Sequence, residues 1–128
     1  MRATHKTPIL LGVSVILGAL VWFLSPALTG HREPWDADSL FYHCGVFLAG
    51  FIPACFSARR FWLWALGAWL GQMLAFLVLL LCFGSGPLWL VGLLFLSFYA
   101  LLSLAGAGIG AGVHYLFCRH VSHSTKVT

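Results

Sequence analysis

Polar positions in this chain fall in clusters, and four long apolar segments lie between them: Pro8 to Ser25, Leu40 to Ser57, Phe61 to Phe83 and Leu88 to Phe117. At 1.5 Å per residue, each has helical length of the order needed to cross a hydrocarbon layer about 30 Å thick. The pattern predicts an all-α membrane protein of four transmembrane helices and leaves no stretch for a soluble domain. The connections "SARR" and "GSGP" are only a few residues long. Helices two, three and four are therefore expected to run antiparallel to their sequence neighbours, as an up-and-down bundle. Gly84, Gly86 and Pro87 supply a stop, a turn and a restart. The longer connection from Pro26 to Ser39, with Pro26, Gly30 and Pro34, reads as a constrained surface excursion, with Asp38 or Ser39 capping the second helix. Pro53 removes one backbone hydrogen bond near the far end of that helix and predicts a kink.

Composition strengthens this picture. A chain of 128 residues is one domain by length, but 61% apolar residues and 8% charged ones, with a mean hydropathy of +0.96, fall outside the range of soluble domains. The first segment, preceded by "MRATHK", also fits the basic and apolar regions of a secretory signal. Its apolar run is long for that role, and "SPALTG" is a poor cleavage site, so a retained helix is expected.

Charge then orients the bundle. Of the seven Lys and Arg residues, Arg2 and Lys6 precede the first helix, Arg59 and Arg60 fill the second turn, and Arg119 and Lys126 follow the fourth; only Arg32 lies elsewhere. Short loops rich in Lys and Arg stay cytoplasmic, which predicts both termini inside and the "GHREPWDAD" loop outside, in a cell membrane of the bacterial cytoplasmic kind. That loop holds all three acids of the chain, Glu33, Asp36 and Asp38. Exclusion of carboxylates from the bilayer accounts for them without any function. Trp22, Trp35 and Trp89 fall near the predicted outer boundary and Trp62, Trp64 and Tyr115 near the inner one, where amphipathic rings anchor helices. The pI near 9.2 reflects cations dispersed over helix ends, and no nucleic-acid partner is expected.

Small residues mark close approaches. Trp64, Ala68, Gly71, Ala75, Val78 and Cys82 share one side of the third helix, which also carries Gly67. The run "AGAGIGAG" interleaves two small-xxx-small patterns, Gly106 with Gly110 and Gly108 with Gly112. Ser103, Gly106, Ala107, Gly110 and His114 lie on one face, while Ala105, Gly108 and Gly112 lie nearly opposite. Two thin faces imply two close neighbours: the third helix for one, and for the other a helix of this chain, a second copy or a different membrane protein. A glycine hinge is the competing reading.

Candidate chemistry is sparse. Gln72 sits halfway along the third helix, where its amide must find a partner, either as interhelical glue or, with Ser97 and Ser103, along a solute path. Cys44 and Cys82, at similar predicted depth, are spaced for a possible disulfide; Cys55 and Cys118 are expected to remain thiols. No C-x-x-C pair supports redox catalysis. His43 and His114 lie near opposite boundaries, so they do not form the paired axial ligands of a haem, and no cofactor is expected. His31, Glu33, Asp36, Asp38 and His43 have the ligand types for a divalent cation or an acid–base cluster, but their spacing matches no metal signature, and no metal is assigned. The run "DSLFYHCGVFLAG" resembles the aspartate-to-histidine start of a transmembrane helix in the VanZ-like family of small bacterial membrane proteins. The Asp38 to His43 spacing is one residue longer than in that family and no lysine follows the aspartate, so no residue role is carried over.

Three function classes follow. The leading one is an accessory, scaffold or assembly subunit that packs through its fourth helix against itself or another membrane protein. The second is a small channel or carrier for a neutral or apolar solute. The third is an exterior-face enzyme on a lipid-like substrate, with His43, Asp36 and Asp38 as acid–base groups. The absence of Asp, Glu, Lys or Arg within the apolar segments argues against a pump.

Overall fold

A computed structural model describes residues 6–31, 40–84 and 89–124. They form four helices, α1 (Lys6–Thr29), α2 (Phe41–Phe56), α3 (Trp62–Phe83) and α4 (Trp89–Ser124). Lys6–Thr29, Trp62–Phe83 and Trp89–His120 are long and apolar enough to cross a membrane, whereas Phe41–Phe56 is a shorter apolar helix. Its 16 residues rise about 24 Å, less than the sequence segment suggested. The 36 residues of α4 rise about 54 Å, well beyond its apolar segment.

Several boundaries differ from those expected, each for a local reason. Helix α1 does not stop before Pro26 but runs through it. Its last turn is held by hydroxyls: Thr29 Oγ1 donates to the Ser25 carbonyl at 2.8 Å and Ser25 Oγ to the His31 carbonyl at 2.9 Å. Gly30, at φ +75°, then turns the chain and donates its N–H to the Pro26 carbonyl at 3.2 Å, a left-handed ending that glycine accepts without steric cost. The N-cap of α2 is Leu40, which makes no side-chain capping bond; Asp38 and Ser39 lie outside the described residues. Between α2 and α3 the chain reverses through Arg60 at φ 59°, in the left-handed region. N–H groups of Leu63 and Trp64 then close the first turn onto the carbonyls of Arg60 and Phe61.

The most intimate contacts join α1 to α3 and α2 to α4, while α1 and α4 do not meet among the described residues. In section the helices form a rhombus with α2 and α3 on its short diagonal. Along the α1 and α3 seam, Gly67 faces Leu11 and Ser14, and Gly71 faces Val15 and Ala19. Along the α2 and α4 seam, Gly106 faces Phe47, and Gly110 faces Phe51 and Ala54. Registers rise together in both seams, so the two helices of each pair point the same way. The glycine-lined face of α4 therefore meets α2 rather than α3, which corrects the neighbour inferred from the sequence. Short connections force chain neighbours side by side but do not decide which pair packs most closely. The backbones touch where glycine removes the side chains.

Apolar filling is divided among three clusters. One holds Trp22, Ala75, Phe76 and Leu96, another Ala54, Trp64, Ala65 and Ala107, and the third Val21, Tyr42 and Val46. Trp22 and Trp64 are thus core residues rather than boundary anchors. Trp22 packs edge-on to Phe76 with centroids 5.5 Å apart, and Trp64 donates its indole N–H to the Ser57 carbonyl at 2.8 Å. Large rings fill the space that small residues leave open between backbones. Trp62, Trp89 and Tyr115 stay at the surface. Leu81, Leu94 and Phe117 are 76%, 72% and 70% exposed, together with most other large apolar side chains on the outer faces. Water-exposed surfaces rarely tolerate such continuous apolar cover, and a lipid-facing surface requires it.

Candidate functional site

The two glycine patterns of α4 have different fates. A Cβ added to Gly106 or Gly110 would strike the backbone carbonyls of Phe47 and Phe51, and one on Gly50 would strike that of Ser103. These positions are fully used inside the chain. Gly108 and Gly112, on the opposite side, have nothing within 4 Å of the position a Cβ would take. Ala105 and Ile109 are exposed beside them, so α4 presents an open thin strip with the same four-residue spacing as its filled one. On α3, Gly67 and Gly71 are occupied by α1, where a Cβ on Gly71 would collide with the Val15 carbonyl.

Gln72 is fully buried. The Tyr42 hydroxyl donates to its Oε1 at 2.9 Å, joining α2 to α3. Its Nε2 and the Oγ of buried Ser103 have no hydrogen-bonding partner among the described residues. Ser97 is exposed on the outer side of α4 and donates to the Leu93 carbonyl at 2.9 Å. The structure therefore brings Gln72 together with Tyr42 and not with Ser97. Tyr99 packs edge-on against Tyr42 at 4.6 Å, and its hydroxyl lies 3.1 Å from Nε2 of the exposed His43. A polar and aromatic line thus leads from the surface at His43 inward to Gln72.

Cys44 and Cys82 are both free and exposed, and the structure does not bring the two thiols of the suggested disulfide together. Cys44 lies two residues beyond Tyr42, about 200° round α2 and so turned away from the side that meets α3. Cys82 lies ten residues past Gln72, about 15 Å further along α3. His31 is exposed, and its backbone serves the end of α1. Its proposed companions Glu33, Asp36 and Asp38 lie outside the described residues. Among the described residues, no three His, Cys, Asp or Glu side chains gather as metal ligands.

Two polar nodes were not anticipated from the sequence. Ser14, buried in α1, donates its hydroxyl to the Trp64 carbonyl and lies 3.3 Å from the Ala49 carbonyl. Ala49 is the residue four before Pro53, whose ring nitrogen carries no hydrogen, so the carbonyl that proline leaves unmatched points to a hydroxyl from another helix. The signal available was the spacing of Ser14 four residues before Gly18, another small-xxx-small pair. The second node lies at the far end of α2, where His114 Nδ1 is 2.8 Å from the Cys55 carbonyl and its Nε2 is 3.7 Å from Cys118 Sγ. The spacing of His114 and Cys118, one helical turn apart, was the clue to this node.

No known family model matches the chain, and no curated protein or solved structure is significantly similar to it.

Proposed function

We propose that this chain is a small multi-pass membrane subunit with an accessory, scaffold or assembly role, exerted through the open face of α4, whose occupant is a second copy of the chain. The observation that carries this reading is the contrast between the two interleaved glycine strips: one is seated on α2 backbone carbonyls, and the other, of the same spacing, meets nothing. A strip that is uncharged, thin and repeated every four residues fits its own copy across a two-fold axis without any partner charge to match. The finer topology belongs to the same proposal: four antiparallel crossings, both termini cytoplasmic, in a bacterial inner membrane. Its supports are the distribution of Lys and Arg and the descending register of α1 against α2, in which Ser14 lies near Ala49 and Val21 near Gly45.

Association is measured by energy transfer between labelled copies in lipid vesicles across a range of protein-to-lipid ratios. Wild-type protein is expected to dimerise, and Gly108→Leu with Gly112→Leu to abolish the signal while leaving the helical content intact. A monomeric wild type, or undiminished association of the double variant, would overturn the reading.

A further inference from the structure

The end of the bundle that holds the second polar node contains groups which packing alone does not require in this arrangement. The Cys55 carbonyl is one of the last four of α2, which have no partner within their own helix. A carbonyl oxygen can only accept, so the hydrogen of the neutral His114 ring sits on Nδ1 and the lone pair on Nε2. Nε2 in turn faces Cys118 Sγ at 3.7 Å, and the thiol must be the donor. Three groups therefore stand in series: a carbonyl that fixes the ring, a ring nitrogen free to take a proton, and a sulfur that holds one. This is the nucleophile, base and orienting-group relation that activates a weak nucleophile. Among the described residues Cys118 is the one thiol hydrogen-bonded to a histidine.

The surroundings define the electrophile. Cys118 is exposed, and Tyr115 and Phe117, which flank it about 60° and 100° away round the helix, are 66% and 70% exposed. An acyl chain dissolved in the bilayer would lie along such a surface. Arg119, also exposed, follows directly and offers a cation to an anionic head. We infer that Cys118 is an S-acylation site, charged by a long-chain acyl thioester with a phosphate-bearing head, with His114 as the base and the Cys55 carbonyl as its positioning group.

The step balances without any further reagent. The Cys118 proton passes to His114 Nε2, Sγ forms a bond to the acyl carbonyl carbon, and the bond from that carbon to the donor sulfur breaks. The departing thiolate takes the proton back from Nε2. One thioester and one thiol become another thioester and another thiol, with no oxidation and no water.

Full-length protein in lipid nanodiscs is incubated with palmitoyl-coenzyme A, and hydroxylamine-labile acyl groups are mapped by mass spectrometry over time. The expected result is acylation at Cys118 well ahead of Cys44 and Cys82, and none there in Cys118→Ser. His114→Ala should slow it by about a hundredfold, the low end of what a positioned base supplies. His114→Gln keeps a donor for the Cys55 carbonyl but no base, and should be as slow as His114→Ala with the fold intact. Equal rates at all exposed cysteines, or a wild-type rate in His114→Gln, would overturn the inference. Fast alkylation of Cys118 by iodoacetamide without acyl transfer would overturn the assignment of an acyl thioester as its substrate.

Discussion

Ser14 shows how a single hydroxyl can compensate for a proline in another helix. Pro53 leaves the Ala49 carbonyl without its usual donor, and in an apolar surrounding an unmatched carbonyl is costly. The Ser14 hydroxyl stands 3.3 Å away and also bonds the Trp64 carbonyl, tying α1 to both neighbours. Ser14→Ala is expected to destabilise the protein by about 1 kcal/mol, in the range measured for interhelical hydrogen bonds in membranes. Pro53→Ala restores an N–H to the Ala49 carbonyl, so the cost of Ser14→Ala should shrink in that background. Reversible unfolding of the four species in mixed micelles measures the coupling, and additive effects would count against the pairing. The hydrogen bond lost at Pro53 was legible in the sequence; the hydroxyl that answers it was not. Ser14 and Pro53 stand 39 positions apart in the sequence, and neither spacing nor polarity says which carbonyl a lone serine will meet. Gln72 was readable as a buried amide needing a partner, but the choice of Tyr42 depended on how α2 settles against α3.

At the scale of elements, glycine is a neutral label whose meaning depends on what faces it. Gly71 lies where a Cβ would strike the Val15 carbonyl, and Gly108 where it would meet nothing. The same substitution should therefore have opposite signs. Gly71→Ala forces two backbones apart and is expected to cost about 1–3 kcal/mol, as overpacking does. Gly108→Ala should stabilise the isolated chain by up to about 1 kcal/mol through helix propensity alone. Unfolding in dilute micelles, where copies are separated, checks both, and equal effects would contradict the assigned faces. The sequence pattern identified these as close-packing positions and placed most helix ends within a few residues. It could not choose α2 over α3 as the partner of Gly106 and Gly110, because small-residue spacing encodes how near a neighbour comes and not which neighbour it is. The end of α1 was also misplaced, since hydroxyls in its last turn allow the helix to continue past Pro26.

For the molecule as a whole, the proposed topology puts the Arg59 and Arg60 turn and both ends of the chain on one side and the acidic connection on the other. A single cysteine introduced by Glu33→Cys in a cysteine-free background should react with a membrane-impermeant maleimide in intact cells, while one introduced by Arg59→Cys reacts only after lysis. The reverse order of labelling would invert the molecule and remove the basis for its orientation. Helix length has an effect of its own on the surrounding bilayer. The 24, 22 and 36 residues of α1, α3 and α4 rise about 33 Å or more, but α2 rises only about 24 Å. On that flank the outward side chains of Leu48 and Phe56 leave the acyl tails several ångströms without apolar wall. Headgroups must sink to meet them, at a fraction of a kcal/mol per ångström of mismatch. The bundle would then dimple the leaflet beside α2, and membranes that are already thin, or bent at such a dimple, are where it would collect.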